Sequence, residues 1–372
     1  MNSINPTNAG ALLTIDLDAI CSNWLVLKAR LSSTDCAAVV KADAYGLGAR
    51  RVAPALYRVG CRHFFVAHLG EGIDLRPVLP AGAAIYVMHG LPPGAEAECA
   101  AHGLVPVLNS LQQIDAWRAM TAGRGQKLPA IVQVDSGMAR LGLSARELRQ
   151  LSHNPSAFDG IAVAFVMSHL ACADEPDHPA NAAQLASFVA SRRMLPKAPA
   201  TFANSSGIFL GPAFHFDLAR PGAALYGVAP VPGQPNPMQP VVRLQGKVMQ
   251  TRIVEAGAAV GYSLSWVAPR ASRIATVSVG YADGYLRSLG GRGSAWLGKV
   301  ALPLVGRVSM DTITIDVSAL PEDATLPGTL IDLLSPHHTV DDVATCAGTI
   351  GYEILTSLGH RYQRHYKDAI PV

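Results

Sequence analysis

The 372-residue chain predicts a (β/α)8 TIM-like barrel followed by a mostly antiparallel β domain. Three observations carry this. Over the first 228 residues, short apolar runs alternate with helical segments, the pattern of βα units on a parallel sheet. Pro230, Pro232, Pro235, Pro237 and Pro240 then remove backbone donors so densely that neither helix nor central strand survives there. Beyond them, long alternating runs separated by turns read as half-buried antiparallel strands. These breaks place the domains at residues 1–235 and 236–372.

The first run, ALLTIDL at 11, alternates like a half-buried strand, and the helix after it is expected to start at Asp18. Periodicity does not say where that strand packs; residues 11–17 are a candidate to pair with the C-terminal domain. Eight runs follow: CAAVVKA at 36, HFFVAH at 63, AIYVMHG at 84, LVPVLN at 104, PAIVQVDS at 129, IAVAFVMSHLA at 161, TFANS at 201 and LARPGAALYG at 218. Eight parallel strands with intervening helices make a barrel. Ser144 with Glu147 three residues on reads as a capping box, and Asn181 to Leu195 has helical apolar spacing at Leu185, Phe188 and Val189. After Pro240 come VVRLQGKVMQTRIVE, SRIATVSVGYADG and AWLGKVALPLVGRVSMDTITIDV, closed by one helix-like stretch from Thr339 to Leu358.

Composition narrows the function classes. With 49% apolar and 15% charged residues the chain is a compact, well-buried enzyme type rather than a disordered one. Net charge is +3 without a basic run or aromatic-basic stripe, so nothing points to nucleic acid. The segment MNSINPTNAG has no basic region followed by an apolar one, and the longest apolar run, Ile161 to Met167, is too short to span a bilayer. A cytoplasmic protein without a membrane partner is expected. The six cysteines (Cys21, Cys36, Cys61, Cys99, Cys172, Cys346) are scattered without metal-ligand spacing; buried free thiols and no metal are expected.

Polar residues at the carboxyl ends of barrel strands face a common mouth. Lys41 ends the first strand after Val39 and Val40, where poor solvation favours a neutral, nucleophilic amine. Tyr45 offers a hydroxyl one short turn on. Arg140 follows the fifth strand, His169 ends the sixth, Ser205 the seventh, and Arg220 and Gly222 flank the eighth. A serine hydroxyl and backbone N–H groups at strands seven and eight suit a phosphate. Taken singly, Lys41 reads equally as one half of a rim salt bridge, His169 as a core histidine, Ser205 as a helix cap and GYADGY as an Asp283-Gly284 turn with two packing tyrosines.

As a set, these residues resemble the alanine racemase family. VVKADAYGLG is similar to that family's lysine motif for pyridoxal 5′-phosphate (PLP), and VDSGMARLGL, ANSSG, RPGAALYG, GYADGY, VGRVSMD and GTIGYE resemble its other motifs in the same order, from about Ile15 to Tyr352. The resemblance implies a barrel followed by a β domain, in agreement with the strand count. It implies that Lys41 carries PLP covalently and acts as one acid/base, with Tyr281 as the other. Arg220 would lie against the pyridine nitrogen. Tyr45, Asn204, Ser205, Gly222 and Tyr352 would hold the phosphate. Arg140 and the backbone near Met310, supported by Asp311, would take the carboxylate of alanine, and His169 would link Tyr281 to Arg220. In the family Tyr281 reaches the cofactor of the other subunit, which implies a homodimer with active sites at the interface, and a role in D-alanine supply to peptidoglycan.

These residue types suit racemisation. Removing the α-proton from one face and returning one to the other requires two bases flanking the reacting carbon. A cation at the pyridine nitrogen disfavours its protonation and makes the ring a weaker electron sink. Three positions depart from the commonest family pattern: Leu47, Ser309 and Gln133. At Gln133 many relatives have a carbamylated lysine that orients the arginine. The expectation here is a hydrogen bond from Arg140 to the Gln133 side-chain oxygen, and activity independent of dissolved CO2. Competing readings are a broad-spectrum amino-acid racemase, a basic amino-acid decarboxylase of the same fold and a non-catalytic PLP carrier. The missing GYADGY equivalent argues against the decarboxylase, and the residues after Pro240 against the carrier.

Overall fold

The computed structural model describes residues 8–122 and 125–368. The first seven residues, on which part of the leader reading fell, lie outside the described residues. The chain divides into two compact units: one of Ile20–Leu225 with Ala229–Met238, the other of the chain up to Ala19, Tyr226–Val228 and everything from Gln239 on.

The first unit is the barrel, and all eight runs supply a strand to it. In spatial order the parallel sheet runs Asp35–Cys36, Leu218–Ala219, Ala200–Thr201, Ile161–Met167, Leu128–Gln133, Val105–Leu108, Ala84–Val87, His63–Val66, Ala38–Val39. Its two end strands are halves of one segment interrupted at Ala37. The Ala37 N–H donates to Ala219 on one side and the Val40 N–H to Phe65 on the other, at 2.9 and 2.8 Å. The predicted first strand therefore meets both neighbours and nearly closes the sheet on itself. Strands covered on both faces bury continuous apolar runs, as Val105–Leu108 does at all four residues. The last run is mostly not strand. Only Leu218–Ala219 pairs, because Pro221 has no N–H to give, and Ala223–Tyr226 turns into a 3-10 segment.

Helix signals held where a side chain caps the first turn. Ser144 accepts the Glu147 N–H while Glu147 accepts the Ser144 N–H, opening the helix Ala145–Ser152. The spacing from Asn181 corresponds to the helix Ala180–Arg192. The helix expected to start at Asp18 begins earlier: Asp16 accepts the Ala19 N–H and the helix spans Leu17–Arg30.

In the second unit, Ala11–Asp16 alternates buried and half-buried residues and lies between Val242–Val254, antiparallel, and Gln363–Lys367, parallel. Val242–Val254 also pairs with Ser272–Val277 and Leu330–Leu334, and Ile313–Asp316 extends the sheet. The single helix expected from Thr339 is two, Val340–Ala347 and Gly351–Ser357. Gly348 ends the first in the left-handed region at φ 74°, where glycine has no Cβ to object.

Among the described residues no helix is long and apolar enough to cross a membrane. No disulfide joins any of the six cysteines, but only Cys36, Cys61 and Cys99 are buried; Cys21, Cys172 and Cys346 remain half-buried.

Candidate active site

The barrel strands deliver their end residues into one cavity of about 440 Å3, lined by Lys41, Met88, His89, Gln133, Arg140, Leu141, Met167, His169 and Arg220. Four of these are sequence candidates, and Gln133 is the supporting one. Met88, His89, Leu141 and Met167 are not singled out by the sequence, because apolar or isolated residues near strand ends carry no signal of their own.

Lys41 opens an unusual turn. Ala42, Asp43, Ala44 and Tyr45 all have φ between 51° and 55° with positive ψ, one turn of left-handed helix in four non-glycine residues. Such a turn costs roughly 1–2 kcal/mol per residue, so surrounding bonds must impose it. Asp43 accepts the Ala49 N–H at 2.7 Å, and Glu71 accepts the Ala42 N–H at 2.7 Å and the Ala67 and His68 N–H groups at 2.6 and 3.2 Å. Neither carboxylate was singled out from sequence; Glu71, three residues past His68 at a helix start, was the readable one. Burial, reinforced by Arg140, pulls the Lys41 ammonium below the ordinary lysine range, while Glu71 acts in the opposite direction.

Arg220 is buried and held by neutral acceptors. It donates to the Thr201 hydroxyl at 2.5 Å and the Ser168 carbonyl at 2.7 Å, and reaches His169 Nδ1 at 3.5 Å. Among the described residues no carboxylate pairs with it, and burial lowers its pKa to about 9. His169 is driven down to about 3 by burial and then by Arg220, Arg140 and Lys41, which leaves it a neutral ring at physiological pH.

Ser205 is not a helix cap. Asn204 fills that place, accepting the Gly207 N–H at 2.8 Å, whereas the Ser205 hydroxyl accepts the N–H groups of Gly222 and Ala224 at 2.9 and 3.2 Å. A Cβ on Gly222 would collide with the Tyr45 hydroxyl. Tyr45, Ser205 and the backbone at Gly222 thus converge on one spot, where two hydroxyl groups come together.

Arg140 stands on a loop pinned by Asp135, whose Oδ1 accepts the Gly137, Met138 and Ala139 N–H groups at 2.9, 2.9 and 3.1 Å. The expected bond between Arg140 and Gln133 is absent. The Gln133 amide donates instead to the Leu141 carbonyl at 3.2 Å, so it supports the loop's backbone rather than the guanidinium. A one-carbonyl side chain satisfies its nearest backbone partner first, which pattern matching does not foresee.

Tyr281, Met310, Asp311 and Tyr352 belong to the second unit. There the two tyrosines of GYADGY part ways: Tyr285 is buried, while Tyr281 is 42% exposed, so only Tyr285 fits the packing role. Met310 and Tyr352 are also exposed.

The N-terminal domain model of alanine racemases matches residues 15–230, and the C-terminal domain model matches residues 241–366. The chain belongs to the alanine racemase family. It is 57% identical to the catabolic alanine racemase of Mesorhizobium japonicum, over 98% of this chain and 95% of that one. It is 54% identical to the alanine racemase of Rhodospirillum rubrum, over 96% of each. The crystal structure of alanine racemase from Bartonella henselae with covalently bound pyridoxal phosphate superposes with a TM-score of 0.93 at 44% identity, covering 96% of this chain and 99% of that one. The biosynthetic alanine racemase of Pseudomonas aeruginosa gives 0.90 at 35% identity, covering 97% and 100%.

Alanine racemases are PLP-dependent isomerases, and the barrel of this chain fits that cofactor. A lysine amine biased toward its neutral form suits an aldehyde carbon. The Tyr45 hydroxyl can approach the backbone beside Ser205 only because Gly222 carries no Cβ, and the two hydroxyls so placed suit a phosphate.

Proposed function

We propose that the chain interconverts L- and D-alanine with PLP held on Lys41, by a two-base mechanism. The observation that carries this is the Lys41 amine, poorly solvated in a cavity it shares with Arg140, His169 and Arg220. The bound cofactor would supply an electron sink that acidifies the α-carbon of the amino acid. Everything else falls to side chains.

Tyr45, Asn204, Ser205, Gly222 and Tyr352 would hold the phosphate, and Arg220 would keep the ring nitrogen from gaining a proton, since a fixed cation disfavours a second positive charge. Arg140 and the backbone at Met310 grip the substrate carboxylate, with Asp311 in support, which orients the α-hydrogen toward a base. The Lys41 amine takes or returns the proton on one face, and Tyr281 of the partner subunit does so on the other. His169, kept neutral, accepts or donates a hydrogen bond without adding charge between Tyr281 and Arg220. Gln133 holds the Arg140 loop through Leu141. The functional unit is a homodimer with the sites at its interface. Its setting is the cytoplasm, in the supply of D-alanine for peptidoglycan.

The test is direct. Purified protein should be yellow with PLP, and in D2O should exchange the α-proton of L-alanine while forming D-alanine; Lys41→Ala should abolish both. Colour without exchange points to a carrier instead. Equal turnover of L-serine or L-lysine would replace alanine specificity with a broad-spectrum reading, because one added methylene shifts selectivity only about 10- to 200-fold.

A further inference from the structure

In the second unit Arg361 joins two loops through their carboxylates. Its Nε donates to Asp283 Oδ1 at 2.6 Å and its Nη1 to Asp311 Oδ1 at 2.7 Å. Asp283 lies inside the turn that bears Tyr281, and Asp311 follows Met310. The two loops also touch through their backbones: the Tyr281 N–H donates to the Ser309 carbonyl and the Ala282 N–H to the Met310 carbonyl, both at 3.0 Å. Asp283 Oδ2 accepts the Gly280 N–H at 2.8 Å and its carbonyl accepts the Gly359 N–H at 2.9 Å. Gly280 is pressed so near the Met310 carbonyl that a Cβ there would collide with it.

We propose that Arg361 is a positioning residue for proton transfer, setting the Tyr281 side chain and the Met310 backbone in one fixed geometry. The inference rests on the roles given above to Tyr281 and Met310. Three features support it. The Tyr281 ring is 42% exposed, so burial does little to aim it and the backbone of its turn must. The Asp283 side chain is only 8% exposed, so its charge is poorly screened and needs a cation to stay in place, whereas Asp311 at 61% is bathed in solvent. Finally, Arg361 reaches both carboxylates at once, which a lysine's single ammonium does not do with two directed bonds. Removing the guanidinium leaves the two loops joined by their backbone hydrogen bonds alone, with the shielded Asp283 carboxylate deprived of its cation.

The consequence is an asymmetry. A misplaced Tyr281 impairs proton transfer on one face of the α-carbon and leaves the Lys41 face intact. Racemisation has a unit equilibrium constant, so kcat/KM falls equally in both directions and hides this. Exchange with retention does not hide it: the α-deuteron passes to the base, the base exchanges it with water, and a proton returns to the same face.

The experiment follows α-deuterated L- and D-alanine with the dimeric, PLP-loaded enzyme in H2O, measuring label loss from unconverted substrate beside racemisation. In Arg361→Gln, racemisation should fall by about 10- to 100-fold. Retention exchange should fall with it for one enantiomer and stay within about 2-fold of wild type for the other, the spread of an unperturbed base. Arg361→Lys should lie between. In cofactor-free protein, amide hydrogen exchange should accelerate in 280–285 and 309–312 and not in the barrel. Equal losses for both enantiomers, or no change in either, overturn the proposal. If Arg361→Gln does not fold, Asp311→Asn removes the exposed arm alone and should show the same asymmetry, weaker; symmetry there overturns it as well. Wild-type protein that exchanges neither label overturns instead the reading on which the proposal rests.

Discussion

A histidine held near pKa 3 and an arginine with no carboxylate partner among the described residues are costly to bury, and both face the cavity of Lys41. The histidine's effect on stability has a definite sign. Its folded pKa lies below the ordinary 6.5, so between those values the unfolded chain binds more protons. The contribution of His169 is present above about pH 6.5 and is lost as pH falls toward 3, at up to about 1.4 kcal/mol per unit. His169→Asn should therefore flatten the fall of Tm between pH 6.5 and 4 in cofactor-free protein. An unchanged slope would mean the ring titrates normally. The loop residue Asp135 acts on substrate rather than on pH. With its carboxylate gone, three N–H groups lose their acceptor, and Asp135→Ala should raise KM for alanine about 10-fold with a smaller change in kcat, because Arg140 is only displaced. Steady-state kinetics across alanine concentrations check it.

Elements were legible where a local signal and a tertiary need coincided. The capping box at Ser144 and the alternation of Ala11–Asp16 needed no neighbours to be read. The left-handed turn after Lys41 was not legible, since Ala and Tyr have little propensity for positive φ and the bonds that support the turn include those to Glu71, an acceptor remote in sequence. The same holds for Ser205, whose partners Gly222 and Ala224 lie on the next strand's loop and not in its own turn. At this scale the prediction concerns the spot between them. Gly222→Ala places a methyl against the Tyr45 hydroxyl and should weaken PLP binding by about 10- to 100-fold, the equivalent of 1–3 kcal/mol of overpacking. Titration of cofactor-free protein with PLP measures this, with Tm as the control for folding.

At the scale of the molecule, the proposed sharing of Tyr281 between subunits makes a quantitative prediction. Lys41→Ala and Tyr281→Phe chains should each be inactive alone. Mixed after dissociation, half of the dimers are hybrids with one intact site of two, so activity should recover to about a quarter of wild type. No recovery, with hybrids shown by native mass spectrometry, would place both bases in one chain. The barrel around Lys41 has its own whole-molecule logic: one interrupted segment at Asp35–Val39 meets Leu218–Ala219 on one side and His63–Val66 on the other, and brings strand ends far apart in sequence to one mouth.

The sequence by itself determined the strand number, the change of fold class after the prolines, the family and the residues worth testing, because periodicity, breakers and motifs are local properties of a chain. Tertiary structure alone decided that Gln133 supports Leu141 rather than Arg140, that Tyr281 is exposed while Tyr285 packs, and that Arg361 spans two acidic loops. Each of those depends on which hydrogen-bond acceptor or apolar surface lies nearest in space, and residues 78 and 50 positions from Arg361 become its neighbours only once the sheet has formed.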